Sequence, residues 1–511
     1  MGQKFYLTTA IDYVNSRPHL GTAYEKIAAD CIARAKRLLG YDVHFLMGND
    51  EHSLNVERRA RELGQDPLAY CDEMAEVFQR TWRSLGIAYD DFIRTTEERH
   101  KRGVRLLLER IRAKGDIYEG LYRGHYCVSC EAFYQEKELV EGRCPVHKSV
   151  PQWVEERNYF FRLSRYRDAV LAHIEAHPEF VQPDVRRNEI VAMLREGLED
   201  LSISRASVRW GIPIPWDPTS VVYVWFDALI NYLSATGFGT PGAEAEARYR
   251  RLWPADLHVI GKDITRFHCI IWPAMLMAGD VPLPKQVFGH GWVHLKGEKM
   301  SKSLGTIVDP LEAAGRFGPD ALRYFLLREI AFGRDGDFSW ERFAERYNAD
   351  LANDLGNLLS RTLAMTERYF AGRIPPAGPG AERLANLAAE VVRAYADAME
   401  RLDLSAGAAE AWRLVAAANL FVDEVKPWQL ARDQTRRAEL AGALRGLLEA
   451  LRVVAVLAFP FMPGKSGELW RQLGCDGTPA GQRLADAAAW NRLPEGAELR
   501  KGEPLFPRLE A

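Results

Sequence analysis

The sequence of 511 residues predicts an α/β protein, in which a parallel-sheet unit is split by an insertion and followed by an all-α antiparallel helical bundle. Three observations predict this class. The N-terminal segment reads strand, loop, helix, strand, which is the order of a βαβ unit. A cysteine cluster beginning at Cys127 interrupts the α/β pattern. From about residue 351, Ala, Leu, Arg and Glu dominate and β-branched runs disappear, which is typical of helical bundles.

Composition and charge narrow the functional class. Hydrophobic residues make up 47% and charged residues 27%, an ordinary soluble globular composition. The net charge of −3 argues against a protein that wraps nucleic acid throughout, although a local basic face is compatible with it. No apolar run reaches the ~18 residues of a membrane span, and the first residues lack a signal-peptide pattern. With an odd number of cysteines, seven, this predicts a cytoplasmic protein without membrane association.

The α/β elements follow from apolar patterning. A first strand is predicted over residues 5–11 and a second over 43–47. Between them apolar residues recur with a helical period until Gly40, which ends the predicted helix. His19 then lies where a strand gives way to a helix, at the carboxyl edge where open α/β sheets bind ligands. We predict further strands of the same sheet over residues 221–226, 257–260 and 287–288.

Two short motifs point to polyphosphate chemistry. His19-Leu20-Gly21 offers an imidazole and free backbone N–H groups at a helix N-terminus, where phosphates bind. Lys299-Met300-Ser301-Lys302-Ser303 offers two ammonium groups that can close over a polyphosphate and take up developing negative charge. Either motif alone is weak support for a function. Together and in this order, they resemble the two signatures of class I aminoacyl-tRNA synthetases.

The insertion contains a predicted metal site. Cys127-x2-Cys130 is followed, after thirteen residues, by Cys144-x2-His147. Two such loops can close a tetrahedral site, and Zn²⁺ accepts three thiolates and one imidazole. Four protein ligands leave no position for water, so we predict one structural Zn²⁺ per chain. Unpaired buried thiols are the alternative interpretation.

The bundle contains candidate RNA contacts. Asn353, Asn357 and Arg361 are spaced by four residues and therefore share one face of a predicted helix. Trp428, after Pro427, could stack on an RNA base. Periodicity alone favours a different interpretation, in which Trp428 is bundle core and the two asparagines are solvated.

The whole chain resembles the methionyl-tRNA synthetase family, in its shorter bacterial form with a single zinc knuckle. Thr22 is a departure, because it replaces the second histidine of the family's His-x-Gly-His and brings no positive charge. The matching segments are Tyr13-Val14-Asn15-x-x-Pro18-His19-Leu20-Gly21, the knuckle, Tyr223-Val224-Trp225-Phe226-Asp227-Ala228, Gly261-Lys262-Asp263-Ile264-x-x-Phe267-His268, Trp272-Pro273-Ala274, the lysine motif, Asp335-Gly336-Asp337-Phe338-Ser339, the helix with Asn353 and Arg361, and Asp423-Glu424-x-x-Pro427-Trp428.

The resemblance implies an activity and its partners. L-Methionine and ATP, with Mg²⁺, would give methionyl-adenylate and pyrophosphate. Methionine would then pass to the 3′ end of tRNA(Met), initiator tRNA included. The CAU anticodon would be read by Asn353, Asn357, Arg361 and Trp428.

The resemblance also implies the residues of the active site. The catalytic residues would be His19, Thr22, Lys299 and Lys302. The ATP-binding residues would be His19, Gly21, Thr22, Gly261, Asp263, His290, Gly291, Trp292, Val293, Lys299 and Lys302. The methionine-binding residues would be Ile11, Tyr13, Asp50, Trp225, Ala228, Leu229, Tyr232, Ile264, Phe267 and His268. From hydrophobicity alone, the aromatic and aliphatic members of this last group also fit a sheet core.

Domain boundaries follow from the same segments, and we expect a monomer, because no appended oligonucleotide-binding module is apparent. The insertion leaves no room for a large editing domain. The predicted units are residues 1–115, the first half of a Rossmann-type catalytic domain; 116–217, a connective insertion with its zinc knuckle at about 125–150; 218–295, the second catalytic half; 296–350, the lysine loop and stem-contact region; and 351–511, the anticodon-binding bundle.

Two other functions would account for part of the same sequence features. Another class I synthetase, such as a cysteinyl type, would share the signatures and the zinc. A non-catalytic tRNA-binding paralogue would explain Thr22 as loss of activity, but the intact Lys299, Lys302, Asp50 and Asp263 oppose this interpretation.

Overall fold

The computed structural model describes residues 2–128, 131–134, 136–145, 148–295, 297–299 and 307–509. The first part alternates strands and helices, as the sequence predicts. Its elements are β1 (Lys4–Thr9), β2 (Asp12–Tyr13), α1 (Leu20–Leu39), β3 (Asp42–Asp50), α2 (Leu54–Glu62), α3 (Pro67–Ser84), β4 (Asp91–Arg94) and α4 (Glu98–Ala113).

The middle of the chain is rich in short strands. Its elements are β5 (Ile117–Cys127), β6 (Ala132–Tyr134), β7 (Gln152–Phe161), α5 (Arg167–Ala176), β8 (Val181–Gln182), α6 (Asp184–Glu196), β9 (Leu201–Ser202), β10 (Ser204–Arg205), β11 (Pro213–Ile214) and β12 (Asp217–Val222). The chain then returns to the first unit through α7 (Val224–Leu229), α8 (Asn231–Ser234), α9 (Ala243–Leu252), β13 (Leu257–Gly261), α10 (Trp272–Ala278), β14 (Val287–His290), β15 (Val293–Leu295) and β16 (Glu298–Lys299).

The remainder is almost entirely helical. Its elements are α11 (Pro310–Phe317), α12 (Pro319–Glu329), β17 (Gly336–Phe338), α13 (Trp340–Arg346), a π-helical segment (Tyr347–Gly356), α14 (Asn357–Phe370), α15 (Glu382–Glu400), α16 (Leu404–Val425), α17 (Pro427–Leu430), α18 (Arg437–Ala458), α19 (Pro463–Gln472) and α20 (Leu484–Ala487). Among the described residues, none of the helices combines the length and apolarity that crossing a membrane requires.

The central sheet is seven-stranded in the order β2-β3-β1-β13-β14-β8, with β4 added beside β3. Every pairing in it is parallel. This confirms the predicted fold class, a Rossmann-type sheet followed by a helical bundle. The carboxyl ends of β1, β3, β13 and β14 meet at one edge, so side chains far apart in sequence converge there.

One predicted strand is wrong. Residues 221–226 do not form a strand of the central sheet, because β12 ends at Val222 and α7 begins at Val224. β12 pairs instead with β10 and β11 in a separate three-stranded antiparallel sheet. Trp225, Ala228 and Leu229 are spaced as on one helix face, and this local periodicity outweighs the β-branched run before it. The central sheet also includes β8, which comes from the predicted insertion, residues 116–217.

The insertion is built on a long antiparallel ribbon. β5 and β7 pair from Ile117 with Phe161 to Tyr126 with Gln152. β6 pairs with the end of β5 next to Cys127, so the ribbon presents the knuckle at its tip.

The helix α1 joins the sheet to the bundle through a buried ion pair. Arg323 of α12 is completely buried, and its Nη2 donates to Asp30 of α1 at 2.6 Å. The guanidinium also donates to the carbonyls of Pro460 and Phe461, both at 2.9 Å, and of Leu85 at 3.4 Å. Burial raises the pKa of Asp30, but the charges of Arg323 and Arg34 outweigh burial and lower it overall.

We expect Arg323→Met to lower the free energy of unfolding by about 3–5 kcal/mol, because it leaves a buried carboxylate short of its partner. Urea unfolding followed by circular dichroism measures this loss. Arg250→Met is the matched control, since Arg250 pairs with Glu246 on the exposed side of α9, and it should stay within ~1 kcal/mol of wild type. A loss of similar size in both variants would contradict the role of Arg323.

Candidate active site

A cavity of ≈ 1080 Å³ opens at the carboxyl edge of the central sheet. It collects side chains from β1, β3, α7, β13 and β14 and from the loops that follow these elements. The predicted ATP- and methionine-binding residues that line it are Ile11, Tyr13, His19, Gly21, Thr22, Asp50, Trp225, Ala228, Leu229, Tyr232, Gly261, Asp263, Ile264, Phe267, His268, His290, Gly291, Trp292 and Val293.

His19 caps the helix α1 with its own ring. Its Nδ1 accepts from the backbone N–H of Gly21 at 3.1 Å and of Thr22 at 3.3 Å, so the neutral ring carries its proton on Nε2. Thr22 completes a capping box, because its Oγ1 accepts from the His19 N–H and donates to the His19 carbonyl. A Cβ at Gly21 would meet the ring at 3.0 Å, which explains the glycine. The signature is thus one rigid unit.

The segment that follows the lysine motif lies beside this unit. Residues 300–306, including the predicted Lys302, lie outside the described residues. Before them, β16 ends at Lys299 and pairs with β15. After them, Val308 accepts a hydrogen bond from the Leu20 N–H at 3.0 Å, at the start of α1. The chain just after residues 300–306 is therefore attached to the start of α1.

The opposite wall is formed by the ends of β13 and β14, where Gly261 and His290 are register partners. The Lys262 ammonium lies 4.2 Å from the centre of the Trp292 ring and pairs with Asp335 at 2.7 Å. Asp335 also accepts from the Trp292 N–H. These contacts order a flat wall suited to a planar ring.

Aromatic side chains form a compact second compartment. Trp225 and Phe267 stack at 3.9 Å between ring centroids, and Tyr13 meets Trp225 edge-on. Both His268 nitrogens are engaged, since Nδ1 lies 3.0 Å from the Ile264 carbonyl and Nε2 lies 2.8 Å from the Tyr232 hydroxyl. Burial lowers the pKa of His268 to about 4, so its ring is neutral.

One hydroxyl in this compartment is left for a ligand. Among the described residues, the buried Tyr13 hydroxyl has no hydrogen-bond partner. His268, another of the predicted methionine-binding residues, has both ring nitrogens engaged within the protein and no N–H left to donate.

Asp50 supplies a buried acceptor at the end of β3. Its carboxyl is almost fully buried, and within the described part of the chain its Oδ1 has no hydrogen-bond partner. Burial and the charges of Asp227 and Glu131 raise its pKa well above the usual range. An ammonium group would satisfy this oxygen.

Behind Asp50 lies an ionic chain that the sequence motifs do not reveal. Asp227 contacts His52 at 2.7 Å and His100 at 2.6 Å, and all three are buried. Burial raises the pKa of Asp227, but the two histidines hold it at about 2. The chain joins α4, α7 and the loop after β3, so it fixes the relative positions of Asp50 and Trp225.

The sequence motifs do not reveal a second network of buried charged groups either. Lys26 of α1 is completely buried and donates to Glu25 at 2.7 Å and to Asp12 at 3.2 Å. Glu25 in turn contacts His290 at 3.0 Å. The sequence does contain a signal for this network, which is the Glu25-Lys26 pair within the apolar stretch of α1. Such charges are seldom buried without partners.

The knuckle is described in part. Cys130 and His147 lie outside the described residues. Cys127 and Cys144 are both completely buried. The Ser149 hydroxyl lies 3.6 Å from the Cys127 sulfur, and its carbonyl accepts from the Cys144 N–H at 2.9 Å. The two loops are therefore close together.

The predicted RNA contacts lie on the surface of the bundle. Asn353 in the π-helical segment and Asn357 at the start of α14 are exposed. Arg361, one turn further on, pairs with Asp423 of α16 at 3.0 Å. Trp428 in α17 is 38% exposed, so the interpretation of Trp428 as core is wrong.

Comparison with known proteins identifies the chain. Residues 5–152 and 137–363 match the family described as tRNA synthetases class I (M), and residues 374–511 match the anticodon binding domain of methionyl tRNA ligase. The methionine--tRNA ligase of Caldanaerobacter subterraneus subsp. tengcongensis is 46% identical, covering 100% of this chain and 80% of that protein. The corresponding enzyme of Thermotoga maritima is 47% identical, covering 99% of this chain and 81% of that protein.

A solved structure agrees with these relatives. Mycobacterium tuberculosis methionyl-tRNA synthetase in complex with methionyl-adenylate superposes with a TM-score of 0.94 at 42% identity, covering 99% of this chain and 100% of that chain. Together with the parallel sheet and its edge cavity, the family matches define the class: this is a class I aminoacyl-tRNA synthetase. Within that class the chain belongs to the methionyl-tRNA synthetase family. Its reaction is the family's two-step aminoacylation, the formation of methionyl-adenylate and the transfer of methionine to tRNA.

We expect the KM for methionine to rise as the pH falls through the raised pKa of Asp50, because only the ionised carboxylate attracts the ammonium group. The rise begins above the pH where an ordinary Asp titrates, near 3.9. Asp50→Asn should raise the KM for methionine by roughly 10- to 100-fold, since a charged hydrogen bond contributes about 1.5–3 kcal/mol, and should remove the pH dependence. ATP–pyrophosphate exchange at several pH values measures both effects, and an unchanged pH profile in the variant would contradict the assignment.

Proposed function

We propose that the cavity binds methionine and ATP side by side and holds them for direct reaction. The cavity has an aromatic compartment with a buried carboxylate at one end and a helix N-terminus at the other, and this arrangement supports the proposal. The first step joins the methionine carboxylate to the α-phosphate as pyrophosphate leaves. It needs no covalent enzyme intermediate, so the task of the protein is positioning and charge stabilisation.

At the methionine end, Asp50 binds the α-ammonium group. Trp225, Phe267 and Tyr13 enclose the side chain, because polarizable thioethers pack favourably against aromatic rings. The Tyr13 hydroxyl is the donor available to the sulfur. Leucine or norleucine offers no acceptor for that hydroxyl, so methionine is favoured beyond the ~10–200-fold that an apolar pocket achieves for one methylene.

At the nucleotide end, Nε2–H of His19 and the start of α1 bind the phosphates. Asp263 binds the ribose hydroxyls, and the backbone from His290 to Val293 lies beside the adenine. Lys299 and Lys302 take up the charge that develops on the departing pyrophosphate. Mg²⁺ bound to ATP supplies further charge neutralisation on the phosphate oxygens.

The bundle selects the tRNA. Asn353, Asn357, Arg361 and Trp428 are proposed to contact the CAU anticodon of tRNA(Met), elongator and initiator alike. Their exposure on neighbouring helices supports this role, since amides and a guanidinium read base edges while an indole stacks. In the second step, the 2′-hydroxyl of the terminal ribose of the tRNA attacks the adenylate carbonyl, the acyl–phosphate bond breaks, and AMP leaves. We further propose that the enzyme acts as a monomer in the cytoplasm.

The knuckle is proposed to hold one structural Zn²⁺ through Cys127, Cys130, Cys144 and His147. Two buried thiols on adjoining loops fit this metal, because their environment is dry and the donor set is soft. Zn²⁺ bound there would close the two loops against each other. It takes no part in the chemical step.

The experiment that tests this function is ATP–pyrophosphate exchange with all twenty amino acids. We expect exchange with methionine alone. Lys302→Ala and His19→Asn should each lower the kcat of this exchange by about 10²–10³-fold, the usual cost of losing a transition-state contact. Lys285→Ala is the control, because Lys285 pairs with Asp256 at the far side of the sheet. Exchange with another amino acid would overturn the assignment of the methionine-binding residues. The absence of any exchange would indicate a non-catalytic tRNA-binding protein.

For the knuckle, we expect elemental analysis to find one zinc per chain. Cys144→Ser should lose the metal and lower the unfolding temperature, whereas Cys475→Ser, outside the knuckle, should keep it. Metal retention by Cys144→Ser would contradict the ligand set.

A further inference from the structure

Glu131 connects the knuckle to the methionine end of the cavity. It follows Cys130 directly and is only 1% exposed. Its carboxylate accepts from the Ser53 hydroxyl at 2.7 Å and from the Asn55 N–H at 2.8 Å, so it caps the N-terminus of α2. Its backbone has φ of 50°, in the left-handed region that non-glycine residues seldom adopt and that is retained where surrounding contacts determine it.

Two further hydrogen bonds join the same parts. The Tyr223 hydroxyl donates to the Glu131 carbonyl at 2.8 Å. The Asn55 side-chain amide donates to the Val128 carbonyl at 2.9 Å. The knuckle is therefore bonded both to the start of α2 and to the residue before α7.

These two attachment points flank the proposed methionine contacts. Ser53 is three residues after Asp50, in the loop that follows the strand ending at this proposed ammonium-binding carboxylate. Tyr223 immediately precedes α7, which carries Trp225 and Leu229. A shift of Glu131 would move both sides of the methionine site.

We propose that Glu131 is a positioning residue for methionine activation and that it transmits the state of the metal knuckle to Asp50. The proposal rests on the assignment of Asp50 to the methionine ammonium group. Burying a carboxylate is costly unless charge-assisted hydrogen bonds compensate. Glu131 makes such bonds to α2, and an uncharged side chain would hold the loop more weakly.

The first test is Glu131→Gln, which keeps the shape and removes the charge. Methionine binding is measured by calorimetry without ATP, and exchange kinetics give KM for each substrate. We expect methionine binding to weaken about 10-fold, with the KM for ATP and the zinc content unchanged, and Glu131→Asp to recover part of the affinity. Glu136→Gln, an exposed carboxylate in the same insertion, should behave as wild type.

The second test combines the variant with metal removal. Chelation should weaken methionine binding in the wild type by a similar factor and have little further effect in Glu131→Gln, because both changes release the same contact. Unchanged methionine affinity in Glu131→Gln overturns the proposal. Equal losses for methionine and ATP together with a lower unfolding temperature also overturn it, because they indicate only a structural role.

Failure of the underlying assignments has a different signature. If the purified wild-type protein contains no zinc, the proposed effect of the metal on Asp50 is overturned. The methionine affinity of Glu131→Gln still tests the positioning role of Glu131. Unaltered methionine affinity in Asp50→Asn instead overturns the proposed ammonium contact.

Discussion

The buried ion pair of Arg323 and Asp30 is the contact on which the arrangement of this enzyme depends. Asp30 lies in the middle of α1, whose N-terminus carries His19 and whose flank packs on the central sheet. Arg323 belongs to α12 and joins that helix to the carbonyls of Pro460 and Phe461, which follow the long bundle helix α18. The helix that begins at His19 and the helical bundle are therefore joined by this buried contact.

Charges in the active site are arranged in two buried networks. Asp227 with His52 and His100 lies next to Asp50, and Glu25 with Lys26 lies next to His290. Both satisfy the rule that buried charges must be paired. Asp50 is the exception, because its Oδ1 has no partner within the described residues. The Asp50 carboxyl therefore lines the cavity with a buried acceptor oxygen that has no hydrogen-bond partner among the described residues.

The sequence predicts what is local in the chain. The helix after His19, the strands ending near Met47 and Ile260, and the composition change at the bundle follow from periodicity. The motifs predict which side chains converge, because parallel strands end at one edge. Periodicity could not predict that His52 meets Asp227, 175 residues away, or that Glu131 reaches Ser53. Such contacts depend on tertiary packing. Periodicity also predicts a strand that is wrong at residues 224–226, because β-branched and helical patterns compete over these few positions.

The replacement of the second signature histidine by threonine is understandable in the same terms. The Thr22 hydroxyl turns back on its own helix turn and hydrogen-bonds the His19 backbone. The missing cation is offset in part by the helix itself, since the first turn of α1 carries no acidic residue to oppose an anion. His19 then presents a neutral Nε2–H donor. The lysine motif carries two further cations, and Val308, which follows residues 300–306, is hydrogen-bonded to the first turn of the same helix.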